Sequence, residues 1–87
     1  MATGFVHQFT HQLIDKDGVR YLVFACGESR SDGTWTGWIE FHPLDNTHPK
    51  LRTERETTQP DKAAIEYWAS GLEPIYFEGA FARAGIR

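Results

Sequence analysis

"VRYLVFACGE", residues 19–28, is apolar on both sides of an extended chain. Successive side chains of a strand point to opposite faces. Tyr21, Val23 and Ala25 therefore share one face, and Leu22, Phe24 and Cys26 the other. A strand with one side in water alternates apolar with polar residues. This one does not, so it is expected at the centre of a sheet whose two faces are both covered.

The chain on either side is punctuated by Asp17-Gly18 and Asp32-Gly33. Glycine supplies the positive φ of a hairpin turn, and aspartate bonds the turn backbone. The runs they separate, 5–14, 19–28 and 34–42, read as a three-stranded antiparallel meander. The first is ambiguous, because Phe5, Phe9 and Leu13 share a face at a period of 2 and of about 3.6 residues; the hairpin signal that follows favours strand. After Pro43 comes a turn-rich loop, then the polar stretch "LRTERETTQP" (51–60), then a helix over about 60–70. Ile65, Trp68, Ala69 and Leu72 recur at i, i+3, i+4 and i+7, an apolar stripe. Thr58-Gln-Pro-Asp61 fits a capping box, Gly71 suits a left-handed cap, and Pro74 ends the helix. "PIYFEGAFARA" (74–84) is read as a last strand, with Gly79 as a bulge or a close-packing point.

The expected fold is α+β: an antiparallel sheet of four to five strands, ordered β-β-β-β-α-β, with one amphipathic helix packed on one face. At 87 residues the chain is a single domain, 1–87. Three tryptophans, three tyrosines and six phenylalanines carry much of its small core. One helix covers one sheet face, so the second apolar face of the central strand is covered either by the sheet curling into a small barrel or by a partner. A second copy is the simplest, since a two-fold axis requires one self-complementary patch.

The net charge of −3 gives no basic excess for nucleic acid and no acidic tail. No apolar run is long enough to span a membrane. The N-terminus lacks a signal-peptide pattern, and the single cysteine, Cys26, excludes an internal disulfide. The expectation is a cytoplasmic protein.

Chemistry is sparse. His7 and His11 stand ~13 Å apart on a strand, too far for one ion, and adjacent only on a helix. His42 and His48 flank a loop and meet only if it folds. Cys26 sits in an apolar strand, where thiols are inert packing. Glu40, Glu56, Glu66, Glu73 and Glu78 show no spacing that singles out a catalytic pair. No glycine-rich phosphate loop has the required strand–loop–helix context. No catalytic residue, metal site or cofactor is expected.

In extended form the polar stretch has two polar faces. It reads as an edge strand whose charges discourage pairing, or as a short helix over 50–56. The sharper reading is a ligand surface in which Arg52 or Arg55 grips a carboxylate or phosphate. Trp35 and Trp38 fall on opposite faces of the third strand, and one is expected in the core under Trp68. Trp38 shares its face with Thr36, Glu40 and His42. It is either a partly exposed interface anchor or base-stacking platform, or is covered by the helix. Trp38, His42, Arg52, Arg55, Glu56 and Thr57 are the candidate ligand- or partner-binding residues.

The runs "DGTWTGWIEF", "LRTERETTQP" and "YWASGLEPIYFEGA" together resemble a small family of bacterial proteins with no attached activity, over roughly residues 30–82. That resemblance implies a bacterial origin. The β-β-β-α-β part of the order is also similar in topology to the HicB-type antitoxin domain, without its sequence pattern or an appended DNA-binding segment. The expected function is that of a small non-catalytic binding domain acting as a homodimer, with a further protein partner open. The alternatives are a regulator that binds nucleic acid or a toxin through Trp38 and Arg52/Arg55, and a small enzyme or metal protein using His42, His48 or Glu56.

Overall fold

The computed structural model describes residues 3–14, 18–45 and 47–86, with side chains described over 18–45 and 47–85. Strands β1 (Thr3–Ile14), β2 (Arg20–Ser29) and β3 (Trp35–Pro43) form the expected antiparallel meander, with β2 in the middle. The run at 5–14 is thus strand, with register irregularities between Phe5 and His7 and between Phe9 and Gln12. Gly18 and Gly33 have φ of 84° and 89°, as the turns require. Asp32 fixes the second turn by accepting from Thr34 N–H (3.0 Å) and Thr34 Oγ1 (2.6 Å).

The polar stretch is one interrupted strand laid along β3. Its first part, β4 (Leu51–Arg52), pairs with Glu40 and Phe41, and its second, β5 (Thr57–Gln59), with Trp35, Thr36 and Gly37. Thr53 ends the first part. Its N–H donates to the Ile39 carbonyl (2.9 Å), and its side-chain Oγ1 accepts from Ile39 N–H (3.1 Å), replacing the backbone acceptor. The chain re-enters at Glu56, whose N–H donates to the Gly37 carbonyl (2.7 Å). Glu54 and Arg55 are thereby pushed out of the ladder and exposed.

Helix α1 (Lys62–Ser70) begins at Asp61, whose carboxylate accepts from Ala64 N–H (2.8 Å). The cap is therefore Asp61 and not Thr58, which pairs in β5. Gly71 ends α1 at φ −91°, so no left-handed cap is formed. Pro74 starts a second helix, α2 (Pro74–Arg83), where a last strand was expected. Proline lacks an N–H that the first turn leaves unbonded anyway, and its φ suits that position. Phe77, Ala80, Phe81 and Ala84 then recur at i, i+3, i+4 and i+7. Gly79 lies inside α2 and is exposed, so it is no bulge. A two-residue strand, β6 (Gly85–Ile86), closes on β4, giving the sheet order β1-β2-β3-β4-β6, with β5 also on β3.

The fold is α+β, an antiparallel sheet with two helices. Both helices pack on one face. Tyr21, Val23, Ala25, Ile39 and Phe41 of that face meet Ala69, Phe77 and Ala80, with Trp68, Leu72, Tyr76 and Phe81 at the margin. Phe81 meets Tyr21 and Phe41 edge-on, each at 5.1 Å between ring centres. Gly37 belongs to this face and is bare for a reason. A Cβ there would lie 2.8 Å from Trp68 Cζ3, 2.9 Å from Ile65 Cδ1 and 3.0 Å from Thr57 Cγ2. Among the described residues no helix is long and apolar enough to cross a membrane.

Candidate interaction surface

The face turned away from the helices is built in rows by the register of β2, β3 and β4. One row carries Leu22 and His42; the next Phe24, Glu40 and Arg52; the next Cys26 and Trp38. Among the described residues no helix lies on it, yet it is not a bare apolar sheet. Trp38 is 2 % exposed, and the Arg52 guanidinium lies over its indole, 4.1 Å from the ring centre. The flat cation meets the electron-rich ring face, and its alkyl stem covers apolar surface.

Glu40 organises the rest. Its Oε2 accepts from Trp38 Nε1–H at 2.8 Å, and its Oε1 lies 2.8 Å from His42 Nε2. Partial burial pushes the Glu40 carboxyl up. The Trp38 and His42 hydrogen bonds and the Arg52 charge outweigh it and hold the group below the ordinary range. The His42 ring stacks on Phe24 at 4.4 Å between centres. Cys26 is buried, and burial, with the Glu40 carboxylate beside it as second cause, pushes its thiol up to about 12. A thiol so far from ionisation is no nucleophile at neutral pH. Leu22 and Phe24 remain half-buried.

No protein-family model, curated protein or solved structure matches this chain. The surface is therefore read from its own geometry, and the resemblances drawn from sequence gain no support from relatives.

Of the candidate residues, the fold brings Trp38, His42 and Arg52 together through Glu40. It does not bring in the other three. Arg55 sits in the bulge. Glu56 serves the opposite face, where its Oε1 accepts from Tyr76 Oη–H and from Arg83 Nη2–H (2.7 Å) and ties α2 to the sheet. Thr57 packs its methyl toward Gly37 beside Trp68 and accepts from Gln59 Nε2–H (2.7 Å). Trp38 is also no open platform, since Arg52 occupies its face, and Trp35 is half-buried on the helix side without entering the core.

Glu40, Leu22 and Phe24 are the members that sequence reasoning left off the candidate set. The signal for Glu40 was present: it stands two residues from both Trp38 and His42, hence on their face. His48 is engaged locally, its Nδ1 3.1 Å from Asp45 in the exposed loop. The side chains of His7 and His11 lie outside the described residues. Among the described residues no group of three or more His, Cys, Asp or Glu is placed to hold a metal ion.

Proposed function

We propose that the protein is a non-catalytic, cytosolic binding module that pairs with a second copy through the helix-free face of its sheet. One observation carries the reading: both helices pack on the same face, and the opposite one presents half-buried Leu22 and Phe24 beside an ordered Trp38–Arg52–Glu40–His42 layer. Ordering long side chains on a solvated surface has an entropic cost, and a preorganised polar and aromatic layer flanked by apolar residues is the composition of a protein interface.

The face is small. Strands of ten and nine residues run about 30 Å, but β4 and β6 are two residues each, so the long part of the sheet, β1–β3, is roughly 15 Å across, a footprint of about 450 Å². That is below the ~800 Å² per partner of a standard interface and suits a weak, concentration-dependent pairing. Light scattering on the purified chain tests the proposal. Twice the 9.9 kDa chain mass supports it, and Phe24→Glu should return the mass to one chain. A wild-type mass of one chain at high protein concentration counts against it.

A further inference from the structure

We infer that helix α2 and strand β6 form a C-terminal strap that lifts from the rest of the fold as one unit, latched by Glu56 and hinged at residues 71–73. The strap lies on the helical side, so the inference does not depend on the pairing proposed above. The two helices are held differently. Among the described residues, the backbone of α1 lies close over β1, β2, β3 and β5, whereas that of α2 comes comparably close to β1 alone. The Asp61 carboxylate caps α1, and the Glu73 side chain makes no such bond at the start of α2. Both side-chain hydrogen bonds that join α2 to the sheet, among the described residues, end on one atom. Tyr76 Oη–H and Arg83 Nη2–H donate to Glu56 Oε1.

Tyr76 stands in the first turn of α2 and Arg83 in the last, so one carboxylate holds the helix at both ends. Glu56 is itself fixed to the sheet by its N–H, which donates to the Gly37 carbonyl. β6 follows α2 after Ala84 and meets the sheet through two register pairs, Leu51–Ile86 and Arg52–Gly85. So short a ladder does not hold alone, and β6 leaves with α2. Beneath the strap, Phe77 and Ala80 are buried and Phe81 rests edge-on on Tyr21 and Phe41. That apolar contact keeps the closed form dominant. Opening is a rare, sub-global excursion that bares Tyr21 and Phe41 while the meander, β5 and α1 stay packed. The strap is thus a lid over the apolar side of the sheet.

Native-state hydrogen exchange on the full chain tests this, with Glu56→Met, Tyr76→Phe and Ile65→Val. The α2 amides should share one opening equilibrium, well above that of the β2 and β3 amides, which need global unfolding. Glu56→Met removes the acceptor and should raise α2 opening about 10- to 100-fold, the scale of lost charge-assisted hydrogen bonds. Tyr76→Phe removes one of the two bonds and should raise it less. Ile65 is fully buried in α1 and lies outside the cluster that holds Phe77 and Ala80. Its contacts survive in the open form, so Ile65→Val should speed β2 and β3 exchange about 2- to 10-fold and leave α2 exchange unchanged.

Equal protection of α2, β2 and β3 in the wild type, with all three speeded alike by Ile65→Val, would overturn the strap. A separate α2 opening that ignores both Glu56→Met and Tyr76→Phe would overturn the latch. Should Glu56→Met fail to fold, Tyr76→Phe decides the latch, and the wild type with Ile65→Val decides the strap.

Discussion

The guanidinium of Arg52 caps the indole of Trp38 at 4.1 Å, on the face where, among the described residues, no helix lies. Arg52→Ala should therefore open Trp38 to solvent. We expect a red-shifted emission, stronger acrylamide quenching and a loss of about 1 kcal/mol in urea unfolding from the stacking and stem contacts. An unchanged quenching constant would mean that Arg52 does not cover the ring.

Two glycines should respond with opposite signs to alanine. At Gly37 the new methyl meets Trp68, Ile65 and Thr57 within 3.0 Å, and overpacking of this kind costs about 1–3 kcal/mol. At Gly79, inside α2, the methyl meets only Arg83 Nη1, at an ordinary contact distance of 3.4 Å. There the helix should gain about 0.5–1 kcal/mol. Paired denaturant curves check both, and a stabilised Gly37→Ala would refute the close packing of α1 on β3.

Thr53 is fully buried, and its hydroxyl satisfies Ile39 N–H. Valine keeps the shape and orphans that donor, so Thr53→Val should cost about 1–3 kcal/mol. Thr53→Ser keeps the acceptor and should cost less for its polar part. Equal losses in the two variants would show that the hydroxyl is dispensable.

Alkali should weaken the fold through two groups. Burial, then Glu56, pushes the Tyr76 phenol up to about 12, and burial, then Glu40, does the same to the Cys26 thiol. Each keeps its proton in the folded chain where the unfolded chain has lost it. Their contribution is complete below the unfolded values of about 9 and 10 and is lost as pH rises toward 12. Tyr76→Phe should flatten part of that decline. Glu40 acts oppositely, since its lowered value makes its contribution fade as pH falls into the acid range. Stability measured against pH in the two chains tests the assignment, and Cys26 should react with a thiol reagent only on unfolding.

The meander, the α1 stripe and the doubly apolar middle strand were legible because their periods are local. Residues 74–84 read as a strand from their Pro, Gly and aromatic content, while the helical period of Phe77, Ala80, Phe81 and Ala84 is the signal that prevails. Pro74 is a stop for one helix and equally a start for the next, and only the tertiary packing of Phe77 and Ala80 decides for the second. The division of the polar stretch was not legible. Nothing local to Arg52 and Glu56 tells that one stacks on the helix-free face while the other anchors α2. That depends on the two-residue bulge at Glu54 and Arg55, which is set by a side-chain bond from Thr53 to a strand fourteen residues away.

The central claim is that the face of Leu22 and Phe24, and not the helical side, meets the second copy. Isotope-filtered NOE spectroscopy on a mixture of labelled and unlabelled chains tests it directly. The account predicts intermolecular NOEs to Leu22, Phe24 and His42, and none to Tyr67 and Ile75, which are 82 % and 77 % exposed on the helices. Intermolecular NOEs confined to Tyr67 and Ile75, or none at a concentration well above any useful dimer constant, would contradict it.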